Sequence, residues 1–253
     1  MRKIFHSNNN KFLIVYETAY QKPKNIKPKN IKNLIKDELF DKTSNEIDGI
    51  IWVDNVKDGF IYFDLFNIDG GRAEVSGNGL ACLSLFLYNT IKIKNFNFVN
   101  SFYRNKIFYS KVINHSSVAV GFDLQDAIIK NKIYKDFHIY ELNIPNPHLV
   151  LPASNFDEKE ALELASDIFQ FFQGKYNVHV FDYEKMFMYT FERGVGFTYS
   201  CGSGTIACCY LYVNVIKKSK DLSISLNIAS KGGKIRVSVE NEIYWLYTNP
   251  KEC

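Results

Sequence analysis

Two four-residue segments, Ser76-Gly77-Asn78-Gly79 and Cys201-Gly202-Ser203-Gly204, put a hydroxyl and a thiol at equivalent points of one repeated device. Placing Ser76 on Cys201 also places Phe66-Asn67 on Phe191-Glu192, Asn89 on Asn214, Ile91 on Ile216 and Lys92 on Lys217. Small residues at a helix start let a ligand approach free backbone N–H groups, and the helix dipole favours an anion there. A thiol or hydroxyl heading that start stands beside the anion. Two such units could grip one carboxylate and move a proton at the carbon next to it. A single Gly-x-Gly step before an apolar helix is commonly mere close packing. Two in register, each headed by Ser or Cys, predict a site.

The elements that position these residues repeat as well. In each copy an apolar, aromatic-rich strand (Phe60 to Phe66; Lys185 to Phe191) leads through a polar turn into the Gly-rich step and an apolar helical run. Alternation and β-branched or aromatic content predict strands on either side of a break at His6 to Asn10 within Lys3 to Glu17. They predict others over Ile50 to Val53, Asn95 to Phe102, Lys106 to Val112, Ser117 to Asp123, His138 to Asn143, Leu149 to Leu151, Val178 to Asp182, Leu222 to Ala229 and Ile235 to Glu240. Helices are predicted near Glu158 to Phe172 and Gly204 to Ile216. Strands outnumber helices and come in runs, which predicts an α+β fold. A composition break at His115-Ser116 divides the chain into lobes 1–116 and 117–253, with the last strand a candidate to return to the first lobe. No long linker follows the break, so the lobes are expected to pack closely and form the site in the cleft between them.

The remaining composition narrows the function classes. Of 253 residues, 46% are apolar, with no uninterrupted apolar stretch of membrane-spanning length. The start Met1-Arg2-Lys3-Ile4-Phe5-His6 turns polar at once, so no signal peptide is expected and the cytoplasm is the expected location. The net charge of +4 owes much to Lys22 to Lys36, which holds six lysines and the near-repeat Pro23 to Lys27 and Pro28 to Lys32. A solvated surface segment explains such a run better than nucleic acid binding, which asks for a broader basic face or a recognisable module. Neither nucleic acid nor membrane is an expected partner. The five cysteines, Cys82, Cys201, Cys208, Cys209 and Cys253, have no zinc-ligand or disulfide-framework spacing and are expected as free thiols. Cys82, Cys208 and Cys209 lie in apolar helical runs, as small hydrophobes do. Cys201 alone occupies a helix start, where a lowered thiol pKa is expected.

Phe66-Asn67-Ile68-Asp69-Gly70 leading to Ser76-Gly77-Asn78-Gly79, then Asn146-Pro147-His148, Asn177-Val178, and Glu192-Arg193-Gly194-Val195-Gly196 leading to Cys201-Gly202-Ser203-Gly204 together resemble the diaminopimelate epimerase family. The resemblance covers nearly the whole chain in the right order. It implies two pseudo-symmetric lobes, each a mixed sheet rolled around a central helix, that close on the substrate. It implies an isomerase working without pyridoxal phosphate or metal, with one cysteine on each face of the substrate's α-carbon. Cys201 matches one cysteine and Ser76 holds the place of the other. Asn10, Asn67, Asn146, Asn177, Glu192 and Arg193 match residues that hold the amino and carboxylate groups of a small amino acid with two such ends. The implied reaction is LL- to meso-diaminopimelate, a step towards lysine and peptidoglycan, in a family that is often dimeric. The physics agrees: charge developing on the α-carboxylate needs preorganised donors, and the N–H groups of Gly77, Asn78, Gly202 and Ser203 are suited to supply them. Arg193 is a natural bidentate partner for a second carboxylate. His148 is a lesser candidate, since a histidine could shuttle protons near neutrality, but beside Pro147 it is expected to brace its loop.

Several positions depart from the family pattern. Lys11 replaces an acid after Asn10, Gly49 stands where a glutamine is usual, Phe197 where a glutamate is, Ala81 where an arginine is, and the tail after Trp245 is short for the family. Ser76 is the largest departure, since a hydroxyl is a far poorer base than a thiol. Three explanations stand open. Ser76 replaces a catalytic cysteine by engineering. It is native, with Cys201 doing one-sided chemistry as an epimerase, racemase or dehydratase on diaminopimelate or another amino acid. Or the chain is a binding protein that keeps the pocket without turnover.

Overall fold

The computed structural model describes residues 1–16, 47–67, 70–103, 106–219, 221 and 223–253. The basic segment Lys22 to Lys36, with Glu17, Ile68, Asp69 and Leu222, lies outside them. The fold is α+β and divides into two compact units, residues 1–120 with 249–253, and residues 121–248.

In the first unit, β1 (Arg2–Ser7) and β2 (Asn10–Tyr16) form a hairpin whose turn is Asn8-Asn9 alone, so His6 and Ser7 belong to the strand rather than to the break expected there. Both turn residues have positive φ (48° and 65°), the left-handed conformation that two-residue hairpin turns demand and asparagine tolerates. β3 (Gly49–Lys57) runs parallel to β2, and β4 (Phe60–Asn67) antiparallel to β3. The free edge of β4 is shared: β5 (Arg72–Ala73) pairs antiparallel with its end, and β6 (Asn95–Asn100) pairs parallel with its start after helix α1 (Gly77–Ile91). β7 (Ile107–Asn114) returns against β6, and β8 (Ser117–Asp123) runs into the second unit.

The second unit repeats this order of pairings. β9 (Ile129–Tyr134) flanks β10 (Phe137–Ile144), which makes an antiparallel hairpin with β11 (Asn146–Ala153). Helix α2 (Glu158–Phe171) crosses to β12 (Asn177–Asp182), parallel to β11, and β13 (Phe187–Glu192) pairs antiparallel with β12. The other edge of β13 takes β14 (Gly196–Thr198) at its end and, after helix α3 (Gly202–Leu211), β15 (Ser223–Ser230) at its start. β16 (Gly233–Glu240) and β17 (Ile243–Thr248) follow antiparallel. The short β18 (Lys251–Glu252) pairs with β1 in the first unit.

The helices differ because their sequences do. α1 is buried over Gly77 to Leu87, and α3 buries nine of its ten residues. A helix that is apolar all round belongs inside. α2 carries a capping box, Asp157 with Glu160, and buries only Ala161, Ala165 and Ile168, one stripe at helical spacing, against Val178 and Val180. α3 begins at Gly202, two residues earlier than its sequence suggests, and ends in a π-helical turn at Tyr212–Ile216. Among the described residues no helix is long and apolar enough to cross a membrane.

Candidate active site

The two helix starts share one cap geometry. Ser76 caps α1 at φ −131°, ψ 122°, its Oγ accepting the Gly79 N–H at 3.1 Å. Cys201 caps α3 at φ −132°, ψ 112°, its Sγ accepting the Gly204 N–H at 3.3 Å. The carbonyls of Ser76 and Cys201 take the next N–H groups, of Leu80 and Thr205. The N–H groups of Gly77 and Asn78, and of Gly202 and Ser203, are therefore the ones each helix leaves unbonded by its own carbonyls or cap. Neither first turn carries an acid, so no residue of either helix's own first turn opposes an anion there. Serine is a favoured cap and cysteine is not. Capping explains Ser76; it does not explain Cys201.

In the first unit the β1–β2 turn supports the α1 start. Asn8 Nδ2 donates to Asn78 Oδ1 (2.9 Å), and Asn78 Nδ2 donates to Asn10 Oδ1 (2.6 Å), so Asn10 braces the buried Asn78. Asn8 was not singled out by sequence, although it lies in the same asparagine run. Asn67 closes β4, with the Gly70 N–H donating to its carbonyl and its own N–H to the Gly71 carbonyl. Gly49 is where it is because a Cβ would meet the Phe66 carbonyl oxygen at 2.8 Å. No longer side chain fits in place of the usual glutamine.

In the second unit, strand alternation gathers the polar groups. Asn146 and His148 on β11, Asn177 and His179 on β12, and Thr190 and Glu192 on β13 are each two residues apart, and their registers set them side by side on one sheet face. On the opposite face, Leu149, Val178, Tyr189 and Phe191 belong with the core under α2. Asn177 Oδ1 accepts the Arg193 N–H at 2.9 Å. The Arg193 side chain is exposed, and among the described residues no carboxylate pairs with it. Thr198 Oγ1 donates to Glu192 Oε1 at 2.6 Å.

Cys201 is 4% exposed, and its thiol corrects the expectation of a lowered pKa. Burial pushes it well above the ordinary range, and the Glu192 carboxylate adds to this by repelling a thiolate and accepting the S–H. The Ser203 hydroxyl at 3.6 Å and the Gly204 N–H pull the other way without prevailing. The helix start is present, but desolvation outweighs it. Cys201 therefore rests as a thiol, able to deliver a proton directly or to act as a base once the carboxylate beside it has taken one. Cys82, Cys208 and Cys209 are buried among apolar residues, while Cys253 is exposed; all are free.

Behind Cys201 lies a chain that the sequence reading missed. His148 Nδ1 and His179 Nε2 are 2.9 Å apart, and His179 Nδ1 is 3.1 Å from Thr190 Oγ1. Both rings are fully buried. Burial lowers the His148 pKa to about 3, helped by the Arg193 charge and opposed by the Ile144 carbonyl; burial and then the His148 charge lower that of His179. Both are neutral imidazoles near pH 7. The signal was available as an i, i+2 polar pair on each of three successive strands.

Gly204 shows how tightly this chain is held. A Cβ there would lie 2.3 Å from His179 Cε1, whereas one on its counterpart Gly79 would meet Ser76 Cβ, Ile51 Cδ1 and Phe12 Cε1 at 3.1 to 3.3 Å. Alanine favours a helix over glycine by about 1 kcal/mol, which Gly79→Ala can set against neighbours that yield slightly. His179 is tethered at both nitrogens. Gly204→Ala is expected to cost about 2–3 kcal/mol through overpacking, lowering the melting midpoint by roughly 5–10 °C, with Gly79→Ala changing it by much less in the same calorimetric comparison.

The region Tyr189 to Ser203 and its surroundings match a known family model: residues 141–248 fit diaminopimelate epimerase. A diaminopimelate epimerase of Thermotoga maritima is 28% identical over 257 residues, covering 98% of this chain and 98% of that protein. One from Methanothermobacter thermautotrophicus is 27% identical over 263 residues, covering 92% and 88%. A solved hydroxyproline epimerase from Agrobacterium vitis superposes with a TM-score of 0.65 at 11% identity, covering 98% of this chain and 88% of that one, which shows the shared fold. The protein is thus an isomerase of the epimerase and racemase class. Within that class, the chain is similar to the diaminopimelate epimerases, over residues 141–248 by the family model and over nearly its whole length by these relatives.

Proposed function

We propose that the protein moves the α-proton of an amino acid with two amino acid ends, diaminopimelate being the candidate, without pyridoxal phosphate or a metal. The observation that carries this is the pair of helix starts of matching cap geometry, one headed by a buried thiol that capping does not explain. In this reading the α-carboxylate lies against unbonded first-turn N–H groups, which bond more strongly as charge builds up on it in the transition state. Cys201 serves one face of the α-carbon, and Glu192 takes or returns the thiol proton. Arg193 takes the distal carboxylate, and Asn10, Asn67, Asn146 and Asn177 fix the polar ends. The free thiols fit a reducing cytoplasm.

A second reading follows from Ser76, whose hydroxyl accepts the Gly79 N–H and, among the described residues, is hydrogen-bonded to no acid or imidazole. With one competent proton-transfer group, the protein exchanges the α-proton on one face and inverts slowly. The two readings part in deuterated buffer. The expected result is deuterium entering one diaminopimelate stereocentre selectively, with slow appearance of the other isomer. Arg193→Ala should raise KM for diaminopimelate about 10-fold or more, the worth of one charge-assisted bond, and leave an amino acid with no distal carboxylate unaffected. Equal losses on both substrates would remove the assignment of Arg193, and binding without any exchange would leave a binding protein.

A further inference from the structure

Because the two units repeat one set of pairings, each residue under the α3 start has a counterpart under the α1 start. Registers pair Phe12 with Gly49, Ile14 with Ile51, and Ile51 with Leu65 in the first unit; in the second they pair His148 with Asn177, Val150 with His179, and His179 with Thr190. The place of Phe12 is thus taken by His148, that of Ile51 by His179 and that of Leu65 by Thr190. All six are nearly or fully buried. The first unit shows that three apolar side chains fill this space. Burying two imidazoles in their stead costs desolvation that packing does not require.

Three observations say what the polar trio does. The hydrogen bonds run in one line from Thr190 Oγ1 through His179 to His148 Nδ1. The line ends at His148 Nε2, a fully buried atom without a hydrogen-bond partner. And the His179 ring is wedged against Gly204, one turn from Cys201. A neutral imidazole has one N–H and one lone pair, so a bond at Nδ1 decides what Nε2 offers. Whichever way the Thr190 hydroxyl points, the line sets one tautomer on His179 and hence one on His148, whose ring also lies beside the Ile144 carbonyl.

We propose that His179 is a positioning residue, which fixes the ring orientation and tautomer of His148 so that His148 Nε2 meets a polar group of the substrate in a single, preset hydrogen-bonding sense. This rests on the amino acid epimerase reading above, in which the neighbouring Asn146 and Asn177 hold the substrate. The loop-bracing role expected for His148 is reversed: the ring is the braced group, and His179 braces it.

The test uses full-length protein labelled with 15N-histidine and long-range proton–nitrogen spectra between about pH 6 and 8, the range over which an ordinary histidine titrates. In the unsubstituted protein His148 and His179 are expected to stay neutral, each as one tautomer. In His179→Leu, which imitates the apolar counterpart, His148 should become a mixture of tautomers, and kcat for α-proton exchange should fall on the order of 10- to 100-fold, as misplacement of an aligned group does, with a smaller change in KM. His179→Gln, whose amide can both donate and accept, should restore a large part of the loss. A folded His179→Leu protein with an unchanged His148 tautomer, or with exchange within about twofold of the original, the scatter of measured single-interaction effects, overturns the proposal. Should His179→Leu not fold, Thr190→Val removes the hydroxyl at constant shape and is read the same way. Absence of exchange in the unsubstituted protein with every amino acid tried would sink the epimerase reading; the His148 tautomer in the variant would then decide the positioning role by itself.

Discussion

Cys201→Ser stops α-proton exchange, lowering its rate about 10³-fold or more, while the fold stays as stable as before. The two halves of this result have one origin. Serine is the better helix cap by up to about 1 kcal/mol, and the first unit already uses it in the same cap geometry, φ −131° against −132°. The variant keeps the Gly204 bond and, in the proposed reading, loses only the proton-transfer group. Exchange by the original protein should also climb with pH beyond the point where an ordinary thiol levels off, about 8.5. Burial, then the Glu192 charge, holds the proton on Cys201 to higher pH, so its base form gathers late. The same shift sets the sign for stability. In the unfolded chain the thiol ionises near 8.5 and in the fold it does not, so this contribution is fully present below pH 8.5 and is lost as pH rises towards the folded value. Cys201→Ser should lessen the alkaline loss in a melting series from pH 7 to about 10, a window that brackets the reference thiol pKa. A variant that still exchanges within tenfold of the original would take Cys201 out of the chemistry.

What the sequence disclosed was whatever is local or periodic. The repeated Gly-rich steps, the α+β class and the alternating strands Phe60 to Phe66 and Ile235 to Glu240 follow from residue spacing and recur in the fold. β9, β17 and the short β5, β14 and β18 were not expected: two- or three-residue strands leave no periodic trace, β9 reads as polar, Ile129-Lys130-Asn131-Lys132, and β17, Ile243-Tyr244-Trp245-Leu246-Tyr247-Thr248, is a continuous aromatic run without polar alternation. The raised thiol pKa is not legible in sequence for a related reason: a helix start is a local pattern, but burial is a property of everything packed around it. The His148–His179–Thr190 line lies between the two. Its members sit on three strands, and only the register Val150 with His179 and His179 with Thr190 brings them together. Sequence can show polar residues at strand spacing; register decides which of them meet.

Ser76→Cys should turn slow, one-sided exchange into inversion, raising the rate of stereoisomer interconversion about 100-fold or more, the usual worth of a positioned acid or base. The cap at position 76 accommodates the change because Cys201 already makes the same bond, 3.3 Å for the thiol against 3.1 Å for the hydroxyl, and losing serine as a cap should cost only about 0.5–1 kcal/mol. The new thiol would differ from Cys201 in a useful way. Ser76 is half-buried rather than fully buried, so a thiol there pays less to ionise. Asn67 closes β4 as Glu192 closes β13, so a neutral amide replaces the carboxylate that pushes Cys201 up. In the proposed reading, a thiolate at 76 and a thiol at 201 are the complementary states that transfer from one face to the other requires. In deuterated buffer the variant should deliver deuterium to the inverted product from the first turnovers, whereas the original protein should label recovered substrate. If Ser76→Cys folds, binds diaminopimelate and inverts it no faster than before, positions 76 and 201 do not serve opposite faces of one carbon, and the chemistry of Cys201 must be sought on an amino acid that needs a proton moved on one face only.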